Sequence, residues 1–277
     1  MLYIFYNSNL VEGPINRTRG SIGFIDDFNA WVIGPDEETN TQTLQTTVIP
    51  HTERWARESG AIFEADKTGF IHFRSIRRPA PAEQATTTPL RFGSATVTPQ
   101  TAIKVLGVTL DSHLQMNTHL AKVAAKGLSR CLTLHAVKGL RPMQIRQLYR
   151  ACVVPITDYT ASTWYGPGKH GTAKHILLLE KVQRLGARII LRAFKSVSLA
   201  VLEAEAGLAT VADRLHAQVS NHAAKLLALP GDHPARQAVL PRKNVSKTYA
   251  SPIWQTIRHH EARLLPASEE RTVAQPA

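Results

Sequence analysis

Asp26 and Asp27 stand side by side between two apolar runs, Ile22-Gly23-Phe24-Ile25 before them and Phe28-Asn29-Ala30-Trp31-Val32-Ile33 after. Apolar residues with a period of two on both sides of a short polar pair predict a β-hairpin with the acids at its tip. That hairpin constrains the surrounding chain more than any other feature, because it fixes a register and a sharp reversal. It also concentrates charge. Two like charges held side by side repel each other, and oxygen ligation of a hard divalent cation such as Mg²⁺ relieves the repulsion. Phosphoryl-transfer sites built on two metals use this chemistry. Asp is equally a common turn residue, so the pair alone also admits a purely structural reading.

Charge is distributed unevenly around this feature. The chain of 277 residues carries a net charge of +12. Residues 1 to 66 hold four basic and ten acidic residues, a balance of −6, and the remainder holds 29 basic and 11 acidic residues, a balance of +18. An acidic region followed by a strongly basic one suits a protein that holds cations at one end and phosphates at the other. The competing explanation is a basic surface that serves solubility alone. Cys131 and Cys152 form neither a disulfide framework nor a zinc-type cluster and are expected as small buried thiols in apolar helices. No apolar run approaches the length of a membrane span, and the short apolar stretch Leu2 to Tyr6 lacks a basic leader. These features predict a soluble intracellular protein, nuclear or cytoplasmic, with no membrane partner.

The patterning predicts three regions. Residues 1–111 mix strand and helix. Asp36-Glu37-Glu38 opens a helix with acids favourable to its dipole, which runs towards Ser59-Gly60. Pro50 predicts a kink or a division into two helices, with Leu44, Val48, Trp55 and Ile62 towards the core. Arg77 to Pro99 reads as a mobile, loop-rich insert. Residues 112–215 turn helical. Leu120, Val123, Ala124, Leu128, Cys131 and Leu132 make an apolar stripe, with Lys122, Lys126 and Arg130 on another face. Pro142 suits the first turn of a helix that directs Ile145, Leu148, Tyr149 and Cys152 inward and Arg146 and Arg150 outward. From His175 to Phe194 an amphipathic helix carries Lys181, Arg184, Arg188, Arg192 and Lys195 as a continuous basic ridge. Such a ridge can neutralise successive phosphates without reading sequence. Residues 216–277 are expected to be a tail, partly disordered, in which Pro252-Ile253-Trp254 docks back on the core.

Three segments in order resemble a known family. Phe24-Ile25-Asp26-Asp27 resembles the aromatic-x-Asp-Asp motif of reverse transcriptases. Gly60 to Phe73, with Lys67-Thr68 followed by Ile71-His72-Phe73, looks like the segment carrying that family's lysine. Ile103 to Asp111, with its Leu106-Gly107-Val108 core, resembles the primer grip. Gln144 to Ala151 and Tyr159 to Trp164 look like the thumb and connection of the LINE-type (non-LTR) retrotransposons of fungi. The likeness extends from residue 1 to about Leu215.

The resemblance implies an α+β fold, a truncated polymerase palm followed by a helical thumb and connection. It implies Mg²⁺ or Mn²⁺ at Asp26 and Asp27, with Asp26 as the direct ligand. Lys67 would lie near the nucleotide phosphates, Leu106, Gly107 and Val108 would hold the primer end, and the partners would be an RNA template and an RNA/DNA duplex. The family places its first metal-binding aspartate on an earlier strand, whereas Met1 to Ile25 contains Glu12 as its only acid. The implied molecule is therefore a reverse-transcriptase fragment without catalysis. The alternative is a non-catalytic basic module that binds RNA or DNA. Loss of central palm strands should also expose a sheet edge and apolar surface.

Other chemistries find little support. The twelve histidines include no His-x-His or His-Glu-x-x-His spacing, and there is no Gly-x-Ser-x-Gly elbow. Gly166-Pro167-Gly168-Lys169 reads as a turn. Trp164 and Tyr165 could stack on a base, although buried packing suits them better.

Overall fold

Three short antiparallel hairpins precede a run of helices in the computed structural model, which describes residues 6–11, 18–75, 88–166, 172–240 and 251–264. The chain is α+β and divides into two units, residues 1–118 and 119–277. The Arg77 to Thr87 part of the expected insert, Pro167 to Lys169 and the residues beyond Leu264 lie outside the described residues.

In the first unit, β1 (Arg19–Phe24) pairs with β2 (Asp27–Val32) in the expected hairpin, but the two-residue reversal is Ile25-Asp26, one residue earlier than the Asp26-Asp27 tip that the alternation predicts, and Asp27 opens β2. The helix opens at Asp36, whose carboxylate accepts from the Thr39 N–H at 2.7 Å and the Thr39 hydroxyl at 2.9 Å. The same bonds hold its pKa below the usual carboxylate range. The helix divides in two near Pro50, as expected, with the break just upstream of the proline: α1 (Glu37–Thr43) passes through a π turn, Leu44–Val48, into α2 (Ile49–Ser59). The Ile49 N–H donates five residues back, to the Leu44 carbonyl. A proline in a regular helix would clash with the carbonyl four residues before it, and one widened turn just upstream relieves that conflict. Gly60, at φ +70°, ends α2 in the left-handed conformation.

The described end of the segment expected as a loose insert, from Thr88 to Pro99, contributes to the core. Leu90–Phe92 and Ala95–Val97 form β3 and β4, a tight hairpin whose Leu90 and Val97 pack with Ile49 and Phe70. Gln45, in the π turn, closes the open edge of β3. Its amide nitrogen donates to the Arg91 carbonyl at 3.0 Å, and its amide oxygen accepts from the Arg91 N–H at 2.8 Å. Ile71 to Phe73 is not a ladder strand. Phe70 bridges in parallel to Pro99, and a proline has no N–H with which to extend the pairing. Finally β5 (Ala102–Val105) and β6 (Val108–Asp111) pair through Leu106-Gly107, with φ +46° and +84°. Positive φ at both turn residues matches the right-handed twist of hairpin strands.

The second unit is helical: α3 (Asn117–Ala136), α4 (Pro142–Cys152), α5 (Val154–Thr157), α6 (Ala161–Trp164), α7 (Thr172–Leu191), α8 (Leu199–Ala206), α9 (Val211–Leu227), α10 (Pro234–Val239) and α11 (Pro252–Leu264). Small residues set its closest approaches. A Cβ on Gly127 of α3 would lie 2.9 Å from a Val182 methyl of α7, and one on Gly186 would lie 2.1 Å from the Tyr149 ring of α4. Burial pushes the Cys131 thiol up to about 12, as befits an inert core thiol.

A polar chain runs through this core. Arg214 of α9 grips Asp158 through two nitrogens, at 2.5 and 3.1 Å, and also donates to the Gln183 amide oxygen. Gln183 donates to Glu203 of α8 and to the Ala209 carbonyl, the latter at 2.9 Å. Gln218 donates to the Asp158 carbonyl at 3.1 Å. Together these residues tie α7, α8 and α9 to the short α5–α6 connection.

Several expectations need correction. The division expected after residue 215 falls inside α9, where Leu215 and Val219 are both fully buried. Helix α11 packs on α9 and α6 through Trp254, Thr256 and Ile257, so the docking expected of Pro252 to Trp254 is seen. Ile62 is 91% exposed and Leu132 60% exposed, and Cys152 lies at the surface.

Candidate metal centre and nucleic-acid surfaces

The acidic hairpin is built on an aromatic platform. Strand alternation places Gly23, Phe28 and Ala30 on one face and Ile22, Phe24, Asp27 and Asn29 on the other. Phe28 packs on Phe63 with ring centroids 6.4 Å apart, and Phe63 in turn meets Trp55 at 5.9 Å and Phe92 at 5.7 Å. The opposite face has no such cover. Ile22 and Phe24 are exposed, as is Ile33 just beyond β2.

Both carboxylates are exposed at the tip. Asp26 is the second turn residue, and Asp27 pairs with Phe24. Ile25, between Phe24 and Asp26, has φ +55°, a conformation costly for a β-branched residue. Asn7 helps to hold it by donating to the Ile25 carbonyl.

Lys67 ends a short 3₁₀ turn, Ala65–Lys67, with its Nζ 2.7 Å from a Glu64 carboxylate oxygen. The Glu64 hydrogen bond and charge raise the Lys67 pKa, and the Asp26 carboxylate adds to the rise. Asp111 lies near the primer-grip candidates in sequence but is engaged in capping. Its carboxylate accepts from the backbone N–H groups of His113, Gln115 and Met116. Of those candidates, Leu106 and Gly107 form the turn and Val108 is buried.

Among the described residues, no three His, Cys, Asp or Glu side chains converge on one point. Asp26 and Asp27 alone thus offer two carboxylates, and a divalent ion held by them would take its remaining ligands from water or substrate. They do not form an all-protein cage.

The basic residues fall into groups. Lys122, Lys126 and Arg130 all lie on the solvent face of α3, and Arg150 is exposed on α4. Arg146 is half-buried, with its guanidinium over Gly207 at the end of α8, and does not point freely outward. On α7, Lys181 and Arg184 are exposed, whereas Arg188 is half-buried with its Nε enclosed and without a hydrogen-bond partner. The expected continuous ridge stops there. The helix ends at Leu191, Arg192 takes φ +54°, and Lys195 belongs to the following turn. Helical spacing alone could not locate that reversal, because the usual C-terminal signal is a glycine and here an arginine occupies the position. Trp164 and Tyr165 are buried, and their rings pack on His175 and His216 respectively.

The histidine beside the α3 cations is a pH-sensitive part of this surface. His119 is buried, and its pKa is lowered first by burial and then by Lys122 and Lys126. A depressed folded-state value means that the unfolded chain binds the proton more readily. The associated stability is complete above the unfolded value of 6.5 and is lost as pH falls through the lower folded value. Between pH 7.5 and 5, His119→Gln should therefore show a shallower fall in Tm than the parent chain when melting is followed by circular dichroism. An unchanged slope would refute the role of His119.

Comparison of the chain with protein-family models, with curated proteins and with solved structures returns no match. No described helix is long and apolar enough to cross a membrane.

Proposed function

We propose that the chain is the C-terminal part of the palm together with the thumb of a reverse transcriptase of the LINE type, and that on its own it binds template–primer without extending it. The observation that carries this reading is the exposed Asp26-Asp27 pair at the tip of a strained hairpin. In that role Asp26 and Asp27 would hold Mg²⁺ or Mn²⁺, which would stabilise charge on the transferred phosphoryl group. Lys67 would support the leaving pyrophosphate once a phosphate competes successfully for it with Glu64. Leu106, Gly107 and Val108 would contact the primer end. The exposed cations of α3, α4 and α7 would follow the phosphates of an RNA/DNA duplex.

The hairpin supplies carboxylates from one site only, and two-metal catalysis needs ligands converging from separate strands. The uneven charge favours a second reading, in which the protein is a basic RNA- or DNA-binding module with no polymerase role.

Primer extension on an RNA template with Mg²⁺ or Mn²⁺, run beside an Asp26→Asn/Asp27→Asn variant, separates the possibilities. The expected result is no extension by either protein and duplex binding that weakens as salt rises. Extension that vanishes in the variant would show that a complete metal site assembles after all. Absence of duplex binding at physiological salt would refute the polymerase reading.

A further inference from the structure

The most exposed aromatic side chain among the described residues is Phe194, at 83%. It does not sit on a floppy excursion. Helix α7 ends in the left-handed Arg192, and the next N–H, that of Ala193, donates back to the Arg188 carbonyl at 3.1 Å. The Val197 N–H then donates to the Phe194 carbonyl at 3.4 Å, and the Arg184 guanidinium reaches the Val197 carbonyl at 3.3 Å. These bonds fix the turn between α7 and α8 and hold the ring outward.

Two unfavourable features coincide there, an arginine at a position that favours glycine and a large apolar ring left in water. Local strain combined with such exposure points to a ligand that compensates for both. The surrounding charge identifies its class. From Lys181 to Leu202 the chain has five basic residues and no acidic one. Arg184, Arg192 and Lys195 adjoin the turn or belong to it, and Lys181 extends the charge along the exposed face of α7. A rigid aromatic plane among cations fits a single-stranded nucleic acid, with its phosphates on the cations and an unpaired base stacked on the ring. A duplex offers no free base face along its length, so the duplex-binding role proposed above leaves this ring unexplained.

We infer that the Arg192–Val197 turn is a stacking site for an unpaired nucleobase, with Phe194 as the platform and Arg184, Arg192 and Lys195 as phosphate contacts. The inference rests on the reading of the helical unit as a nucleic-acid binder and adds the single-stranded ligand to it.

The test uses the full chain and fluorescence anisotropy at physiological salt. Its probes are an oligothymidylate, an abasic deoxyribose-phosphate strand of equal length and an RNA/DNA duplex. Phe194→Ala should weaken oligothymidylate binding by about tenfold. It should leave abasic-strand and duplex binding unchanged, and the slope of affinity against salt should not move. Phe194→Trp should restore the affinity. Because the ring is exposed, circular dichroism of both variants should match the parent.

Equal binding of oligothymidylate by parent and Phe194→Ala would overturn the stacking site while leaving nucleic-acid binding intact. An equal loss on all three probes would overturn it as well, since the ring would then not be reading an unpaired base. Failure of the parent chain to bind any of the three would remove both the stacking site and the reading beneath it. Phe194-dependent binding of phosphatidylserine vesicles without binding to oligothymidylate would assign the turn to an anionic lipid surface instead.

Discussion

Arg214→Met is expected to destabilise the helical unit by about 3–5 kcal/mol, the usual cost of removing one partner of a buried ion pair. The substitution keeps most of the side-chain volume and helix propensity, so the loss is mainly electrostatic. Asp158 has 6% of its side chain exposed and Arg214 has 18%. Without the guanidinium, the carboxylate keeps the Thr157 hydroxyl at 2.8 Å but has no countercharge in the salt bridge. Gln183 loses the donor to its amide oxygen at the same time, although its own donations to Glu203 and Ala209 survive. Urea unfolding followed by far-ultraviolet circular dichroism would measure the effect. The double variant Arg214→Met/Asp158→Leu should recover a large part of the loss, because replacing both partners with apolar groups can be nearly neutral. A single variant within about 0.5 kcal/mol of the parent would mean that solvent already screens the pair.

The second large effect is expected at the α4–α7 crossing. Gly186→Ala should cost about 1–3 kcal/mol, the range for overpacking a filled core, even though alanine is the better helix former by about 1 kcal/mol. The new Cβ would lie 2.1, 2.6 and 2.9 Å from three carbons of the Tyr149 ring. That ring is only 1% exposed and has nowhere to retreat, so the helices must separate or the ring must leave its rotamer. Gly127→Ala makes the useful contrast. Its nearest neighbours are methyl groups at 2.9 and 3.2 Å, which a small side-chain shift can relieve. Tyr149→Leu in the Gly186→Ala background should show favourable coupling in a double-mutant cycle. Additive behaviour would place the clash elsewhere.

One of the three hairpins was legible in the residue pattern. Apolar alternation about Asp26-Asp27 specified the first hairpin and placed its reversal to within one residue, because a period of two leaves little freedom in register, whereas the strand pair at Ile103 to Asp111 was reached only through the family resemblance. The apolar stripe of α7 was equally clear. Reading failed where backbone geometry departs from a fixed period. The core set Leu44, Val48, Trp55 and Ile62 assumed an unbroken helical phase, whereas the π turn places Ile49 and Thr52 inward with Trp55. Strands β3 and β4 are three residues each, too short for alternation to register. The stacking candidate at Phe194 was hidden because the end of α7 carries no glycine. The acids of the candidate metal site were readable one by one. The engagement of Lys67 by Glu64 and of Asp111 by backbone N–H groups depends on local turns that residue spacing does not encode.

The widened turn at Leu44–Val48 also stores a spare residue. A π turn holds one residue more than the α turn it replaces, so α1 is rotated by roughly 100° relative to a regular continuation of α2. The Gln45 side chain that closes β3 lies within this surplus. An indel there would act as a phase adjustment. Loss of one residue would restore a regular helix in length while turning Gln45 and the whole of α1 away from their present neighbours. Removal of one residue between Asp36 and Gly60 should therefore be tolerated less well than removal of one from a surface hairpin turn.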